Sequence, residues 1–366
     1  MLSLQKLFTI ATLAHVALMT VVPTETHAAQ SASALPLVYV LSTGGTIAGK
    51  GASSTNLIEY KGASLLGAEL LAAVPEIRQY AQIEVEQVVN VNSPNMTPDV
   101  WRTLALRINA LLTENPKLAG VVITHGTSTL EETAYFLHLT VAHDRPVVLV
   151  GAQRPSTAIS ADGPLNLINA VRTAAAPEAR GKGVLVVMND EINGARDVTK
   201  SNTYRVETFR SGELGFLGYV DDDKVSFYKA STKRHTARSE FSLSADTKFP
   251  RVEIVSSYAQ SSTVPIHALV RDGVDGIIFA APGAGSLSNA EIKAVEEIAT
   301  SPAPVKPVLM RSSRTGNGRV TNRSALERLG LIPTDNLSPQ KSRILLMLAL
   351  TKTRDPKEIA RIFSEY

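Results

Sequence analysis

The stretch Leu37-Val-Tyr-Val-Leu-Ser-Thr-Gly-Gly-Thr-Ile-Ala-Gly49 joins an apolar run to a turn that is rich in glycine and threonine. A short, continuous apolar run is typical of a strand that is buried on both faces of a parallel sheet. In open parallel sheets ligands bind where the strands end, and glycine there lets a ligand approach the backbone closely. The stretch therefore predicts the first strand of an α/β fold, with a candidate site directly after it.

Similar apolar runs recur along the chain. The clearest are Gly120-Val-Val-Ile-Thr124, Pro146-Val-Val-Leu-Val150 and Gly183-Val-Leu-Val-Val-Met188. Helical patterns separate them, at residues 101–112, 129–141 and 163–175. This alternation predicts βαβ units, and with them a mostly parallel, twisted sheet that is flanked by helices on both faces.

A second, smaller set of strands begins near residue 252. Its members are Val252-Glu-Ile-Val255, Gly276-Ile-Ile-Phe-Ala280 and Pro307-Val-Leu-Met310, and a helical pattern at residues 288–299 separates the last two. The segment between the two sets is polar and basic, with little apolar periodicity. We therefore expect a large N-terminal domain at residues 30–229, a linker at residues 230–250 and a smaller C-terminal α/β domain at residues 251–366.

The first 29 residues differ from the rest. Lys6 precedes an almost entirely apolar or small stretch at residues 7–22, Pro23 ends that stretch, and Thr26-His-Ala28 offers small residues at the positions that a signal peptidase inspects. The apolar run is short for a membrane span. The pattern predicts a signal peptide at residues 1–29 and a periplasmic mature protein, with secretion from the cell as a variant and a buried N-terminal helix as the alternative interpretation.

Charge and composition narrow the possible partners. The chain has 37 basic and 34 acidic residues, a net charge of +3, and a single tryptophan. We therefore expect neither a nucleic-acid partner nor, once the signal peptide is removed, a membrane partner. The absence of cysteine excludes disulfides and a cysteine nucleophile. His138 and His143 have the wrong spacing for a metal site on a helix, so we expect no metal and no cofactor.

Polar residues follow the predicted strands. The turn at residues 43–49 lacks the lysine of a phosphate loop and the glycine spacing of a dinucleotide site, and Gly126-Thr-Ser-Thr-Leu130 lacks the last glycine of a serine hydrolase elbow. A hydroxyl such as that of Thr46, on a glycine-flanked turn, suits a nucleophile. Thr127, Ser128 and Lys200 form a second group, because a desolvated lysine can act as a base; Lys200 alone would be interpreted as a solvated surface charge.

Taken together, these stretches resemble the bacterial type II (periplasmic) L-asparaginases and glutaminase-asparaginases. Residues 43–49 are similar to the first signature of that family, and His125-Gly-Thr-Ser-Thr-Leu-Glu-Glu-Thr-Ala134 is similar to the second. Further similar stretches are Ser160-Ala-Asp-Gly-Pro164, Arg196-Asp-Val-Thr-Lys200 and Arg311-Ser-Ser-Arg-Thr-Gly-Asn317. The resemblance covers nearly all of the chain that follows the predicted signal peptide.

The resemblance implies an amidohydrolase that converts L-asparagine to L-aspartate and ammonia. It implies that Thr46 forms an acyl-enzyme after activation by Tyr60, with Thr127 and Lys200 as a second catalytic pair. It implies a homotetramer, assembled from tight dimers, in which each site is completed by a neighbouring subunit. The substrate-binding residues that it implies are Ser93, Pro94, Thr127 and Ser128, with Ser286 supplied by the partner subunit.

Three positions depart from the family pattern. Ser128 stands where the family has aspartate, Pro94 stands where glutamine or glutamate is usual, and a glutamate expected near Arg323 or Ser324 is missing. In the family these side chains hold the substrate's α-ammonium group. Three hypotheses follow: an L-asparaginase that binds the ammonium differently, through Glu327 or Glu59; a hydrolase of a related amide without a free α-ammonium; or a non-catalytic amino-acid-binding relative.

Overall fold

The computed structural model describes residues 34–366, so the predicted signal peptide lies outside the described residues. The strands, in chain order, are β1 (Leu37–Ser42), β2 (Lys50–Gly51), β3 (Tyr60–Lys61), β4 (Gln82–Gln87), β5 (Leu118–Thr124), β6 (Val147–Val150), β7 (Val184–Met188), β8 (Glu191–Gly194), β9 (Thr199–Lys200), β10 (Phe209–Arg210), β11 (Gly218–Val220), β12 (Val225–Phe227), β13 (Val252–Ser256), β14 (Gly276–Ala281), β15 (Val308–Ser313) and β16 (Leu331–Pro333).

Helices alternate with these strands. They are α1 (Gly67–Ala72), α2 (Pro98–Glu114), α3 (Leu130–Thr140), α4 (Gly163–Ala175), α5 (Val264–Arg271), α6 (Asn289–Thr300), α7 (Ser324–Glu327), α8 (Pro339–Ala349) and α9 (Pro356–Glu365). Within the described residues, none of these helices has both the length and the apolar character to cross a membrane.

The larger sheet has the spatial order β12-β11-β8-β7-β6-β5-β1-β4. Strands β4, β1, β5, β6 and β7 are parallel, which confirms the mostly parallel sheet. The sequence patterns did not predict β4 or the antiparallel extension through β8, β11 and β12. The extension begins at a two-residue hairpin, in which Asn189 and Asp190 both have positive φ, as a primed turn requires.

Helices cover both faces of this sheet, as predicted. Helices α1 and α4 pack on one face, and α2 and α3 pack on the other. The chain steps from β5 to β6 through α3 and onward from β6 to β7 through α4, so these two crossovers lie on opposite faces and have opposite hands. The β1–α1–β4, β4–α2–β5 and β5–α3–β6 crossovers all share one hand, and almost all such connections are right-handed, so the β6–α4–β7 crossover is the left-handed one. The long connection at residues 151–162 gives the chain room to change face.

The smaller sheet contains β13, β14, β15 and β16, all parallel and in that order, which confirms the predicted second α/β sheet. Apolar cores cover both faces of this sheet. One face packs against α5 and α6, and the other packs against α8. Helix α8 also packs on α3, so one continuous apolar core joins the two sheets. Residues 230–250 carry little regular structure, and Phe241 of this segment is buried in the same core.

Candidate active site

The turn after β1 meets the turn after β5 at the carboxyl edge of the larger sheet. Gly44 and Gly45 both have positive φ, of 100° and 87°, a region that glycine adopts without strain. A β-carbon placed on Gly45 would lie 2.3 Å from the α-carbon of Gly126. Glycine at both positions therefore allows the two backbones to touch, and it brings the hydroxyls that follow them into one place.

The topology of the sheet opens a crevice at this point. Strands β1 and β5 are neighbours, yet the chain leaves β1 toward α1 on one face and leaves β5 toward α3 on the other. Adjacent strands whose connections diverge in this way form a switch point, where open α/β sheets bind their ligands. The sequence-based expectation of a site after Leu41 thus has a structural cause.

Thr46 begins a short 3₁₀ turn, Thr46–Ala48, and is nearly buried. Its Oγ1 lies 2.8 Å from the hydroxyl oxygen of Tyr60, which comes from the β2–β3 hairpin. Gly49 makes room for the tyrosine, because a β-carbon at that position would lie 2.9 Å from the Tyr60 ring. The structure therefore places two of the predicted catalytic residues in direct hydrogen-bond contact.

Thr127 and Lys200 form a second pair. The Lys200 ammonium donates to Thr127 Oγ1 at 2.8 Å, and burial lowers the pKa of Lys200 below its ordinary value. A lysine in this state gives up its proton more readily than a solvated one, which suits a proton relay. Lys200 is thus not the solvated surface charge that its sequence position alone would suggest.

A buried ammonium from the smaller-sheet region supports the segment that carries Lys200. Lys341, on α8, is 2% exposed, and its Nζ donates to the backbone carbonyl oxygens of Arg196 and Val198. Both carbonyls lie within four residues of Lys200. Burial lowers the pKa of Lys341 to about 8. The sequence analysis missed Lys341, because a lysine in a helix is usually solvated.

Ser93 lies beneath the turn that follows β5. Its Oγ accepts a hydrogen bond from the Ser128 amide at 3.1 Å, and its carbonyl oxygen accepts one from Thr129 Oγ1 at 2.7 Å. Ser93 is 4% exposed, whereas the neighbouring Pro94 and Ser128 are exposed. A buried hydroxyl between two exposed neighbours is suited to hold a polar group of a small ligand.

These residues line a cavity of about 340 Å³, with walls from Gly45, Thr46, Ile58, Tyr60, Gly62, Asn92, Ser93, Pro94, Gly126, Thr127 and Ser128. None of these cavity-lining residues, within the part of the chain that the structure describes, carries a carboxylate. Sequence reasoning missed Asn92 and Ile58, although each is close in sequence to a predicted residue. The cavity thus offers hydroxyl, amide and backbone groups, with the Lys200 cation behind it.

Ser286 does not line this cavity. It is exposed on the turn after β14, and its contribution to a neighbouring subunit stays a prediction. Glu327 and Glu59, the two carboxylates considered for the ammonium group, are exposed and line other depressions of this chain. Within one chain, therefore, neither supplies an anionic group to the cavity.

His125 packs behind the site. It is fully buried, its Nε2 lies 2.9 Å from Thr133 Oγ1, and its Nδ1 lies 2.7 Å from the Gly126 carbonyl oxygen. Burial lowers its pKa to about 4. His125 is therefore a packed, hydrogen-bonded core histidine. Residues 34–366 contain no group of three histidine or acidic side chains with the arrangement of a metal site.

Comparison with known proteins agrees with this geometry over both sheets. A family model described as "Asparaginase, N-terminal" matches residues 37–233, and one described as "Glutaminase/Asparaginase C-terminal domain" matches residues 251–363. The chain is 49% identical to L-asparaginase 2 of Bacillus subtilis (strain 168), over 93% of this chain and 91% of that protein. It is 44% identical to a protein of Haemophilus influenzae named "Probable L-asparaginase periplasmic", over 92% of this chain and 95% of that one.

A solved structure has the same fold. The crystal structure of the probable cytoplasmic L-asparaginase from Campylobacter jejuni superimposes with a TM-score of 0.87 at 45% sequence identity. The match covers 90% of this chain and all of the Campylobacter chain. Because both family models and these relatives span nearly the whole described structure, the chain belongs to the asparaginase family of amidohydrolases.

Proposed function

We propose that the chain hydrolyses the side-chain amide of L-asparagine to L-aspartate and ammonia through an acyl-enzyme on Thr46. One observation carries the proposal: the hydroxyls of Thr46 and Tyr60 are 2.8 Å apart, the Lys200 amine is 2.8 Å from the Thr127 hydroxyl, and both threonines and the tyrosine line one cavity. A hydroxyl becomes nucleophilic when an adjacent group takes its proton. The names of the relatives indicate which amide is attacked.

In the acylation step, the Thr46 Oγ–H bond breaks and an Oγ–carbon bond forms to the substrate's amide carbon. The Tyr60 hydroxyl lies within hydrogen-bond distance of Thr46, so it takes the threonine proton while it passes its own proton on toward the amide nitrogen. The carbonyl oxygen becomes an oxyanion, which backbone amides of the two glycine turns stabilise; such stabilisation is usually the largest catalytic contribution. The amide nitrogen takes up a proton, the carbon–nitrogen bond breaks, and ammonia leaves.

In the deacylation step, water adds to the ester carbon and loses a proton through Thr127 to Lys200, which acts in its neutral amine form because burial lowers its pKa. The ester bond to Thr46 then breaks, the threonine oxygen regains its proton, and L-aspartate leaves with a new carboxylate. Ser93, buried beneath the cavity, holds the α-carboxylate in this scheme. The sum is one amide and one water consumed, with one acid and one ammonia formed.

The deciding experiment replaces Thr46. We expect Thr46→Ala to abolish ammonia release from L-asparagine, and Thr46→Ser to retain part of it because the hydroxyl remains. Mass spectrometry after a rapid acid quench of the parent enzyme should find an acylated peptide that contains residue 46. Undiminished ammonia release by Thr46→Ala would refute the proposal.

A second candidate function is hydrolysis of a related amide that has no free α-ammonium group. The absence of a carboxylate from the cavity lining of this chain favours it. A charge-assisted hydrogen bond contributes about 1.5–3 kcal/mol, so its loss weakens binding of an ammonium group by about tenfold or more. Under this candidate, Ser128→Asp raises turnover of L-asparagine relative to an α-N-acylated amide. An unchanged ratio of the two rates contradicts it.

We also propose that the site is completed in a homotetramer built from tight dimers, with Ser286 reaching the cavity of the partner subunit. Ser286 is exposed and does not line the cavity of its own chain, which supports this arrangement. Light scattering after size exclusion measures the assembly. Mixing Thr46→Ala subunits with Ser286→Tyr subunits tests the sharing: mixed dimers regain sites with both native residues, whereas activity that stays absent contradicts a shared site.

Finally, we propose export to the periplasm through a signal peptide at residues 1–29. The apolar stretch at residues 7–22 supports this, as does the name of the Haemophilus relative, although the Campylobacter relative is named cytoplasmic. Fractionation of cells that express the full chain, with sequencing of the mature N-terminus, tests the proposal. Full-length protein in the cytoplasm contradicts it.

A further inference from the structure

The hairpin that carries Tyr60 projects from the protein. Strands β2 and β3 pair only through Lys50 with Lys61 and Gly51 with Tyr60. The tip is organised locally, because the Asn56 side chain accepts hydrogen bonds from the amides of the two residues before Tyr60. So short a hairpin is marginally stable by itself in water. Its position over the cavity therefore depends on what else it touches.

A second loop holds the hairpin in place. Thr157 Oγ1 accepts a hydrogen bond from the Gly51 amide at 2.9 Å, and the Ile159 amide donates to the Ser54 carbonyl oxygen at 2.8 Å. Within residues 34–366, all hydrogen bonds from residues 50–59 that leave the hairpin go to Thr157 and Ile159. At the base of the hairpin, the Ser156 amide and hydroxyl both donate to Gly49, at 2.9 and 2.8 Å. We call residues 156–159 the catch.

The catch has its own support, independent of the hairpin. The Asp162 carboxylate accepts hydrogen bonds from the amides of Gln153 and Arg154, both at 2.9 Å. The Arg154 guanidinium donates to the Ser160 carbonyl oxygen at 2.8 Å. The catch is thus fixed to the larger sheet through residues on either side of it. Changing the Thr157 side chain removes a contact with the hairpin without removing these supports.

The register of the hairpin links the catch to the reacting hydroxyls. Gly51, which donates to Thr157, lies directly opposite Tyr60 in the β2–β3 pair. Fixing the backbone at Gly51 therefore fixes the backbone from which the tyrosine reaches Thr46. Ile58 of the same hairpin lines the substrate cavity, so a hairpin released from the catch also opens that cavity.

We propose that Ser156 and Thr157 are positioning residues, which hold the Tyr60 hairpin closed over the substrate cavity and so set the contact between Tyr60 and Thr46. Neither residue lines the cavity, and both act through the hairpin. The proposal rests on the role that the proposed function gives to Tyr60. The hairpin must open to admit substrate and close for acylation, and the catch sets the balance between these two states.

The test measures kcat/KM for ammonia release from L-asparagine. For a free enzyme whose hairpin is mainly open, this ratio is proportional to the closed-to-open equilibrium, whether closure limits kcat or KM. We expect Thr157→Val, which keeps the side-chain shape, to lower kcat/KM by about two- to tenfold, the factor that corresponds to one neutral hydrogen bond. Thr157→Ser keeps the hydroxyl and should retain the parent value within about twofold. Thr55→Val, at the hairpin tip, is the matched control and should have no effect.

Two further measurements separate positioning from a purely structural role. In a Tyr60→Phe background, Thr157→Val should lower kcat/KM by a smaller factor than in the parent, because the part of its action that passes through the tyrosine hydroxyl is already lost. Trypsin should cleave after Lys50 or Lys61 faster in Thr157→Val than in the parent, with the same Tm. Ser156→Ala, which removes one side-chain hydrogen bond at the hairpin base, should shift both readouts in the same direction.

The outcomes distinguish the two proposals. Unchanged kcat/KM in Tyr60→Phe overturns the role given to Tyr60 in the proposed function. A loss in Tyr60→Phe with none in Thr157→Val or Ser156→Ala overturns the catch alone. Full additivity of Thr157→Val and Tyr60→Phe also overturns the catch, because it means that Thr157 acts by another route.

Discussion

The close approach of Gly45 to Gly126 is the feature on which the geometry of the site depends, and Gly45→Ala tests it. Gly45 has φ 87° and ψ −167°, a region essentially restricted to glycine, and a side chain there costs about 1–3 kcal/mol. The new β-carbon would lie 2.3 Å from Gly126, against an ordinary contact of 3.4 Å, so the turns must separate by 1.1 Å (3.4 minus 2.3). Overpacking of this kind costs about 1–3 kcal/mol more.

We therefore expect Gly45→Ala to lower the free energy of unfolding by about 2–6 kcal/mol in total. Activity should fall further than stability suggests, because a misplacement of about 1 Å can reduce a rate by about a hundredfold. Gly181→Ala is the matched control: Gly181 has φ 70°, but no atom lies within 4 Å of its added β-carbon. It should cost only about 1–2 kcal/mol and leave turnover intact.

Thermal unfolding and ammonia release from L-asparagine, measured on both variants, provide the comparison. Both glycines have positive φ, so the difference between the variants measures mainly the added contact with Gly126. Equal Tm values and equal turnover for Gly45→Ala and Gly181→Ala would show that the turns of Gly45 and Gly126 do not touch. That result would refute the geometric argument for the site.

Two other predictions concern protonation. Lys200→Met should lower kcat/KM by about a hundredfold or more, the contribution of a general base. Burial lowers the pKa of Lys200, so the lysine loses its proton at a lower pH than a solvated lysine does. We therefore expect kcat/KM of the parent to increase with pH already below the usual lysine range. The residual activity of Lys200→Met should not show this increase. His125 has a pKa of about 4, against 6.5 when solvated. Between these two pH values the histidine is protonated in the unfolded chain but not in the folded one. The contribution of His125 to the free energy of unfolding is therefore fully present above about pH 6.5, and it decreases by up to about 3 kcal/mol as the pH drops toward about 4. Denaturation from pH 7 to pH 4 measures this loss, which His125→Gln should reduce.

The buried strands could be predicted because their apolar runs are a local signal. Positions such as Thr46 and Lys200 followed from motifs that stand at strand ends and resemble a known family. Strand β4 is different: it alternates polar and apolar residues at the sheet edge, and short segments of that kind occur in many contexts. The antiparallel extension depends on positive φ at Asn189 and Asp190, two residue types that are equally common in ordinary loops.

Other features of the site depend on contacts between distant parts of the chain. Thr157 is 106 residues away from Gly51 in the sequence, and Lys341 is 145 residues away from Arg196. Neither pair leaves a periodic pattern, because each residue is an ordinary surface type for the loop or helix that contains it. The change of face between α3 and α4 is equally invisible, since both crossovers have similar apolar runs and helical patterns.

The position of Lys341 has a consequence for synthesis of the enzyme. Lys341 donates a hydrogen bond to the carbonyl oxygen of Val198, a residue that lies 143 positions earlier in the chain. A chain that has been made only as far as β10 already contains the threonines, the tyrosine and Lys200, yet it lacks the Lys341 ammonium that binds the Arg196 and Val198 carbonyl oxygens beside that lysine. We infer that the catalytic edge stays unfinished until α8 has been made and has docked. A fragment that ends before α8 should therefore lack activity even where its own sheet forms.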